Sequence, residues 1–142
     1  MGIQPNIIVC RTEVPLEKSI KDKISLFCNV PSDQVIQNLD VDTLYEVPLA
    51  MEEEHLADIA CKCLNLECPK PELAEWENMV YSIKNLSKEV TVALVGKYTA
   101  LHDAYISVVE AFKHGGFAHN AQVNIKWIYS GDIVPENVDE LL

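Results

Sequence analysis

The sequence of 142 residues predicts an α/β fold. Short apolar or β-branched runs, which suit strands of a parallel sheet, occur at residues 6–10, 35–38 and 90–95. Segments whose apolar residues recur three and four positions apart, as in amphipathic helices, follow these runs. Strands that alternate with helices are typical of parallel sheets with right-handed crossover connections.

The first predicted strand and helix occupy the start of the chain. Residues 6–10 follow Pro5 and are almost entirely apolar, so we expect a buried strand with both faces covered. Residues 16–27 predict a helix, which Asn29 and Pro31 then end. Its apolar stripe consists of Leu16, Ile20, Ile24 and Phe27.

A second strand and a long helix are predicted next. Residues 35–38 form the strand, and Asp42 is the best candidate for capping the turn that follows. Residues 49–64 predict one helix, because three glutamates in its first half and Lys62 in its last turn complement the helix dipole.

The composition changes at residues 65–71, where two prolines flank a lysine and exclude regular helix. This is the predicted linker. A helix over residues 72–84 follows, and its apolar stripe needs a surface to pack against. That stripe consists of Leu73, Trp76, Val80 and Ile83.

The second half of the chain predicts one strand-helix-strand unit and the start of a further helix. A strand over residues 90–95 ends at Gly96, and a helix over residues 104–114 is closed by Gly115 and Gly116. Residues 122–129 alternate like a strand with one buried face, and a helix begins at residues 135–142. So few strands leave sheet edges and apolar faces uncovered, so we expect both predicted domains to be truncated.

Charge and cysteine content limit the partners and the cellular location that we expect for the protein. The formal net charge of −11 would repel both a phosphate backbone and an anionic membrane surface, so we expect neither nucleic acid nor membrane as a partner. No run approaches the roughly 18 consecutive apolar residues of a membrane span. Five cysteines, an odd number, and no secretory leader predict a cytoplasmic location.

Two groups of residues could indicate a metal site or an acid-base site, but a structural role is favoured for both. Cys61, Cys63 and Cys68 with His55 lack the spacing of a zinc site, so half-buried helix cysteines are favoured and no metal ligand is predicted. His114 and His119 could do acid-base work, but a histidine in the last turn of a helix is also a favourable dipole partner.

The Gly96-Lys97 pair after an apolar strand suggests a phosphate loop. That loop needs glycine at position 91 and Ser or Thr at position 98, where this chain has Thr91 and Tyr98. A strand-ending turn is the favoured interpretation, and a loop that faces an active site is the alternative.

Several strings of residues carry a family resemblance. In the first half they are residues 2–5, 9–11, 23–28 and 40–49, and in the second half residues 82–86, 89–98, 103–105, 107–111 and 123–126. In this order and spacing they resemble CTP synthase over essentially the whole chain. The resemblance implies that residues 1–66 are the C-terminal part of a P-loop-type synthetase domain, 67–87 a linker with a helix, and 88–142 the start of a class I, flavodoxin-like glutamine amidotransferase domain.

The resemblance also implies a reaction. The family makes CTP from UTP: ATP phosphorylates the uracil O4, and ammonia released from glutamine displaces that phosphate. It implies a homo-oligomer, a tetramer for full-length members. The synthetase P-loop and the Mg²⁺ ligands match none of these residues, nor does the Cys-His-Glu triad of the glutaminase, so we expect no catalytic residue in the segment and no turnover by it alone.

Five residues match ligand-binding positions of the family. Lys23 matches a lysine that contacts UTP and the inhibitor CTP, and a flexible ammonium suits such ligands. The segment that lines the ATP adenine consists of Leu39, Asp40 and Val41. Because relatives have lysine at position 39, a backbone role is expected there. Arg11 matches an arginine beside the adenine, on which its planar guanidinium could stack. A non-catalytic α/β interaction module, associating through unfinished sheets, is the alternative function.

Overall fold

The computed structural model describes residues 2–141, so Met1 and Leu142, which begin and end the predicted domains, lie outside the described residues. The chain divides into two compact units, with the boundary between Val80 and Tyr81. Among the described residues, no helix combines the length and the apolarity that crossing a membrane requires.

The first unit is built on a two-stranded parallel sheet. Strand β1, Ile8–Thr12, pairs with strand β2, Val35–Leu39, in a register that sets Ile8 opposite Val35. Helix α1, Lys18–Cys28, connects the two strands and ends at Asn29, whose backbone is left-handed (φ 52°). The predicted strand-helix-strand order and the helix end are therefore confirmed.

The burial of this sheet differs from the prediction for the first strand. Val35 and Ile36 in β2 are both 1% exposed, but Val9 in β1 is 47% exposed. The expectation that β1 has both faces covered is therefore wrong for the described residues, because about half of the Val9 side chain remains exposed.

The buried face of α1 is also rotated from the predicted stripe. Ile20 and Phe27, two of the four predicted stripe residues, are 43% and 84% exposed. The half-buried positions of the helix are Lys21, Ile24, Ser25 and Cys28. The physical reason is an ion pair: the Lys21 side chain lies on the inner face of α1, where it contacts the Glu54 carboxylate of the same unit.

Two short helices replace the single helix predicted over residues 49–64. Helix α2, Val47–Glu53, and helix α3, Leu56–Leu64, are separated by His55, whose φ of 58° is left-handed. A residue in that conformation cannot continue a right-handed helix. Neither glycine nor proline marks this break in the sequence.

The cap before α2 is a different residue from the one predicted. Thr43, not Asp42, caps the 3₁₀ turn Leu44–Glu46, in a capping box with Glu46. The backbone nitrogen of Thr43 donates to Glu46 Oε2 at 3.3 Å. A threonine followed three residues later by glutamate is the usual signature of this motif.

Residues 66–73 form no helix or strand, as predicted for the linker. Helix α4, Ala74–Lys84, follows within two residues of the predicted start, and Val80 is its buried residue at 5% exposure. The assignment of residues 1–66, 67–87 and 88–142 to two domains and a linker stays a prediction.

The second unit repeats the parallel strand-helix-strand arrangement. Strand β3, Lys88–Gly96, pairs in parallel with strand β4, Ala121–Tyr129, and helix α5, Ile106–Ala118, connects them. Leu94 and Ile128 are its buried apolar residues, at 7% and 5% exposure. A short helix α6, Val138–Leu141, begins three residues later than predicted.

Helix α5 does not end at Gly115 and Gly116 as predicted but continues to Ala118. The chain turns at Asn120, which has a φ of 54°. Gly116 is buried where α5 approaches β4: a Cβ there would overlap the carbonyl oxygen of Ala121 and lie 2.8 Å from Val123 Cγ2. This glycine permits close packing rather than helix termination.

Candidate functional site

The carboxyl ends of β1 and β2 bring together Arg11 of β1 and Asp40, the residue directly after β2. Arg11 Nε donates to Asp40 Oδ1 at 2.9 Å, and the backbone nitrogen of Asp40 donates to the carbonyl of Thr12 at 3.1 Å. Parallel strands end at one edge of their sheet, and that edge is where open α/β sheets bind ligands. We call Arg11, Thr12 and Leu39–Val41 the strand-edge cluster.

The strand-edge cluster is polar and accessible. The Arg11 and Asp40 side chains are 81% and 46% exposed, and with Thr12 and Glu13 they line a cavity of about 350 Å³. The hydrogen bond to the Asp40 carboxylate, together with its charge, raises the pKa of Arg11.

Leu39 and Val41 join the cluster through the backbone. Leu39 is the last residue of β2 and stands opposite Thr12, while Val41 is half-buried directly after Asp40. The structure thus brings the four predicted adenine-binding residues to one sheet edge.

Lys23 lies on a different element from this cluster, helix α1. It is exposed on α1, five residues beyond Lys18, which corresponds to about 7.5 Å along the helix axis from the helix start. Within the described part of the chain, no hydrogen bond or ion pair holds its ammonium group. The residues of the predicted UTP or CTP contact and of the predicted ATP contact therefore belong to different elements.

A polar network that the sequence did not suggest lies beside β2. Glu54 accepts from Lys21 Nζ at 2.8 Å, from Gln37 Nε2 at 2.9 Å and from the Gln37 backbone nitrogen at 3.3 Å. Gln37 Oε1 in turn accepts from the backbone nitrogen of Leu16 at 2.9 Å. The network ties α1, β2 and the end of α2 together.

The environment of Glu54 acts on its ionisation in two directions. Desolvation raises the pKa of this carboxyl, but the hydrogen bonds from Lys21 and Gln37 outweigh it, so the pKa lies below its ordinary value. No sequence pattern announces this pair, because Lys21 and Glu54 are 33 residues apart. Asn38 also lacks a sequence signal, and its Oδ1 is buried without a hydrogen-bond partner among the described residues.

The loop after β3 carries aromatic contacts rather than a phosphate cradle. The backbone nitrogen of Tyr98 donates to the Tyr105 hydroxyl at 3.3 Å, and Lys97 Nζ lies 5.6 Å from the Tyr98 ring centre. His102 stacks on Trp127 with ring centres 4.3 Å apart. These residues gather at the carboxyl edge of the second sheet.

The other candidate residues form no metal cluster in the part of the chain that the structure describes, where no three His, Cys, Asp or Glu side chains come together in a suitable way. His114 lies beside Phe117 with ring centres 6.3 Å apart. His119 borders an apolar cavity of about 390 Å³ between α5 and the sheet of the second unit.

Comparison with known proteins gives one consistent result. Residues 1–66 match the family described as CTP synthase N-terminus. The CTP synthase of Clostridium acetobutylicum is 56% identical over all 142 residues of this chain, which cover 26% of that relative. The CTP synthases of Clostridium kluyveri and Ruminiclostridium cellulolyticum are 57% and 54% identical over the same 142 residues. The chain spans about a quarter of the length of these relatives.

Proposed function

The chain is homologous to CTP synthases along its whole length, and from this premise we propose that it is a segment of an enzyme that makes CTP from UTP. In the reaction that the resemblance implies, ATP activates the uracil O4 and ammonia from glutamine replaces the resulting phosphate. The observation that carries the proposal is the 56% identity over all 142 residues.

The strand-edge cluster is proposed to hold the adenine of ATP. The backbone of Leu39 and Val41 offers donors and acceptors to the base edge, and the Asp40 carboxylate adds an acceptor. Its ion pair with Arg11, at 2.9 Å, holds the guanidinium beside the cavity, where it can stack on a purine. The exposed edge of a parallel sheet supports this assignment.

Lys23 is proposed to contact the second nucleotide, UTP as substrate or CTP as inhibitor. Its ammonium group is exposed, so it can reach an anionic or carbonyl oxygen without first breaking an ion pair. Lys23 lies on α1 and shares no element with the strand-edge cluster, and this supports two ligands rather than one.

The second unit is proposed to open a glutamine amidotransferase domain. The parallel β3–α5–β4 arrangement supports this, since a doubly wound sheet is assembled from such units. The resemblance assigns the P-loop, the Mg²⁺ ligands and the glutaminase triad to other parts of the enzyme. Since phosphoryl transfer and amide hydrolysis need those groups, the 142 residues alone are proposed to be inactive, and the full enzyme to be a homo-oligomer.

A chimeric enzyme tests the proposal directly. The matching 142 residues of the Clostridium acetobutylicum relative are replaced by this chain, and CTP formation from UTP, ATP and glutamine is followed. We expect the chimera to form CTP and the isolated chain to form none. A correctly folded chimera without turnover would contradict the proposed function, and turnover by the isolated chain would contradict its inactivity.

Two variants of the chimera test the nucleotide assignments separately. Asp40→Asn is expected to raise the KM for ATP about tenfold, corresponding to about 1.4 kcal/mol, and to leave the KM for UTP unchanged. Lys23→Gln should instead raise the KM for UTP, leave the KM for ATP unchanged and weaken inhibition by CTP. Asp33→Asn and Lys18→Gln, which change exposed charges elsewhere in the first unit, serve as matched controls. Equal effects of a variant on both nucleotides would refute its assignment.

An interaction module remains the second candidate, and one observation favours it. Leu26 and Phe27, adjacent on α1, are 79% and 84% exposed, and such apolar surface is typical of a contact between proteins. Light scattering on the purified chain tests this candidate. A particle mass that is a multiple of 15.9 kDa, and that returns to one chain in Leu26→Lys, would support it. A monodisperse monomer at high concentration would exclude self-association.

A further inference from the structure

The C-terminal end of α3 reverses the chain sharply in front of the linker. Asn65 is left-handed, with φ 53° and ψ 41°. The backbone nitrogen of Leu66 donates to the Cys61 carbonyl at 2.9 Å, and that of Asn65 donates to the Lys62 carbonyl at 3.3 Å. These two bonds define a Schellman motif, in which the residues after the helix return to its last turn.

This reversal turns the chain after α3 back toward Cys61. Cys61 is half-buried in the last turns of α3 and Cys68 is exposed after the turn, and the neighbouring Cys68 thiol raises the pKa of Cys61. Cys63 faces elsewhere: its Sγ accepts from Gln34 Nε2 at 3.6 Å. Residues two apart on a helix point to roughly opposite sides, so Cys63 does not share the position of Cys61.

We propose that Cys61 and Cys68 are a thiol modification site, at which a low-molecular-weight disulfide such as glutathione disulfide converts the pair reversibly to an intramolecular disulfide. The product would be a ring from residue 61 to residue 68 that covalently fixes the end of α3 to the start of the irregular segment 66–73.

The exchange proceeds in two balanced steps. The thiolate of Cys68, which is exposed, attacks one sulfur of the small disulfide; a protein–glutathione bond forms, and one glutathione thiolate leaves and takes up a proton. Cys61, as its thiolate, then attacks the Cys68 sulfur and expels the second glutathione. Two protein thiols are oxidised to one disulfide, and one small disulfide is reduced to two thiols.

The surroundings of the two thiols favour this order of attack. The hydrogen bond with Cys68 raises the pKa of Cys61, and desolvation raises it further, so little of Cys61 is thiolate at the outset. Exposure makes Cys68 the accessible first nucleophile. Once Cys68 carries glutathione, the neighbouring Cys61 is placed to resolve the mixed disulfide, as in redox-sensing pairs.

Peptide mapping of the full 142-residue chain tests the proposal. The chain is incubated with glutathione disulfide, its remaining thiols are alkylated at low pH, and it is digested with trypsin and a glutamate-specific protease. Cleavage after Lys62 and Glu67 puts Cys61, Cys63 and Cys68 into three different peptides, so each possible link has its own mass. The same treatment in concentrated urea provides the reference without the folded turn.

The expected result is selectivity that depends on folding. Without denaturant, the Cys61–Cys68 link should exceed the Cys63–Cys68 link at least ~10-fold, whereas in urea the ratio should be of order one because the two loops have similar lengths. Cys63→Ser should leave the Cys61–Cys68 link unchanged. Cys61→Ser should instead leave Cys68 as a stable glutathione adduct.

Three outcomes would overturn the proposal. One is equal yields of the two links without denaturant, which would show that the turn selects neither partner. Another is a persistent glutathione adduct on Cys68 of the unsubstituted chain, which would show that Cys61 cannot resolve it. The third is a Cys61–Cys68 link that dithiothreitol does not reduce, because the modification would then not be reversible.

Discussion

At the scale of single residues, Glu54 shows how a partly buried carboxylate is kept charged. Its side chain is 20% exposed and that of Lys21 is 23% exposed, so both have lost most of their water. Three donated hydrogen bonds replace that water. This is the expected condition for a charge beneath a protein surface, because an unpaired charge there would destabilise the fold.

Glu54→Gln is the first prediction at this scale. The amide keeps the shape of the side chain but removes the charge that Lys21 needs, so the free energy of unfolding should fall by about 1–3 kcal/mol. Urea denaturation followed by circular dichroism measures this change. Glu53→Gln, at the exposed neighbouring position, is the matched control and should change it by less than about 0.5 kcal/mol.

The pH dependence of the same pair gives the second prediction. Because the pKa of Glu54 is lower in the folded chain than in the unfolded chain, its stabilisation is complete above the unfolded value of about 4.3 and is lost as the pH falls through the folded value. The stability difference between the unsubstituted chain and Glu54→Gln should therefore be constant at neutral pH and shrink in acid. A difference that persists unchanged at pH values well below 4 would contradict this.

At the scale of elements, local periodicity predicts the order of strands and helices, whereas it does not predict which individual side chains meet. Both strand-helix-strand units were predictable, because strand and helix order depends on apolar spacing within about ten residues. The break at His55 was not, since only its left-handed φ of 58° marks it and no glycine or proline occurs there. Partners distant in sequence, such as Lys21 and Glu54, carry no local signal at all.

The candidate site also depends on partners that are distant in sequence. Resemblance alone selected Arg11 and Asp40, and neither spacing nor composition indicated that they form an ion pair. Their meeting depends on the parallel register, which places the ends of β1 and β2 side by side. Burial was predicted least well, since a run such as residues 6–10 reveals its apolar character but not which neighbours will cover it.

The two adjacent glycines of α5 give the third prediction. Gly116→Ala should lower the free energy of unfolding by about 1–3 kcal/mol, because its Cβ would overlap the Ala121 carbonyl and force α5 away from β4. Gly115→Ala is the matched control. A Cβ at Gly115 meets no atom within 4 Å, so alanine should stabilise the helix by about 0.5–1 kcal/mol. Thermal unfolding of both variants measures this, and shifts of the same sign would refute the packing argument.

At the scale of the whole molecule, the predicted linker, residues 67–87, contains two kinds of backbone. The boundary between the two compact units, Val80 and Tyr81, falls in its helical part, inside α4. Residues 66–72 are all exposed and form neither helix nor strand, whereas α4 is a continuous helix with a buried Val80. Local opening should therefore be easier in the segment before α4 than at the boundary between the units.

Limited proteolysis tests this difference and gives the fourth prediction. A glutamate-specific protease should cut first after Glu67 or Glu72, because exposed irregular backbone fits a protease active site and helical backbone must unfold first. Glu75 and Glu77, exposed but inside α4, are internal controls for accessibility of the side chain alone. Mass spectrometry of early time points identifies the cuts. The double variant Glu67→Gln, Glu72→Gln should slow the first cleavage about tenfold or more. This factor corresponds to roughly 1.4 kcal/mol of local opening free energy. First cuts after Glu75 or Glu77 would contradict this prediction, because they would show that α4 unfolds locally more easily than the irregular segment before it opens.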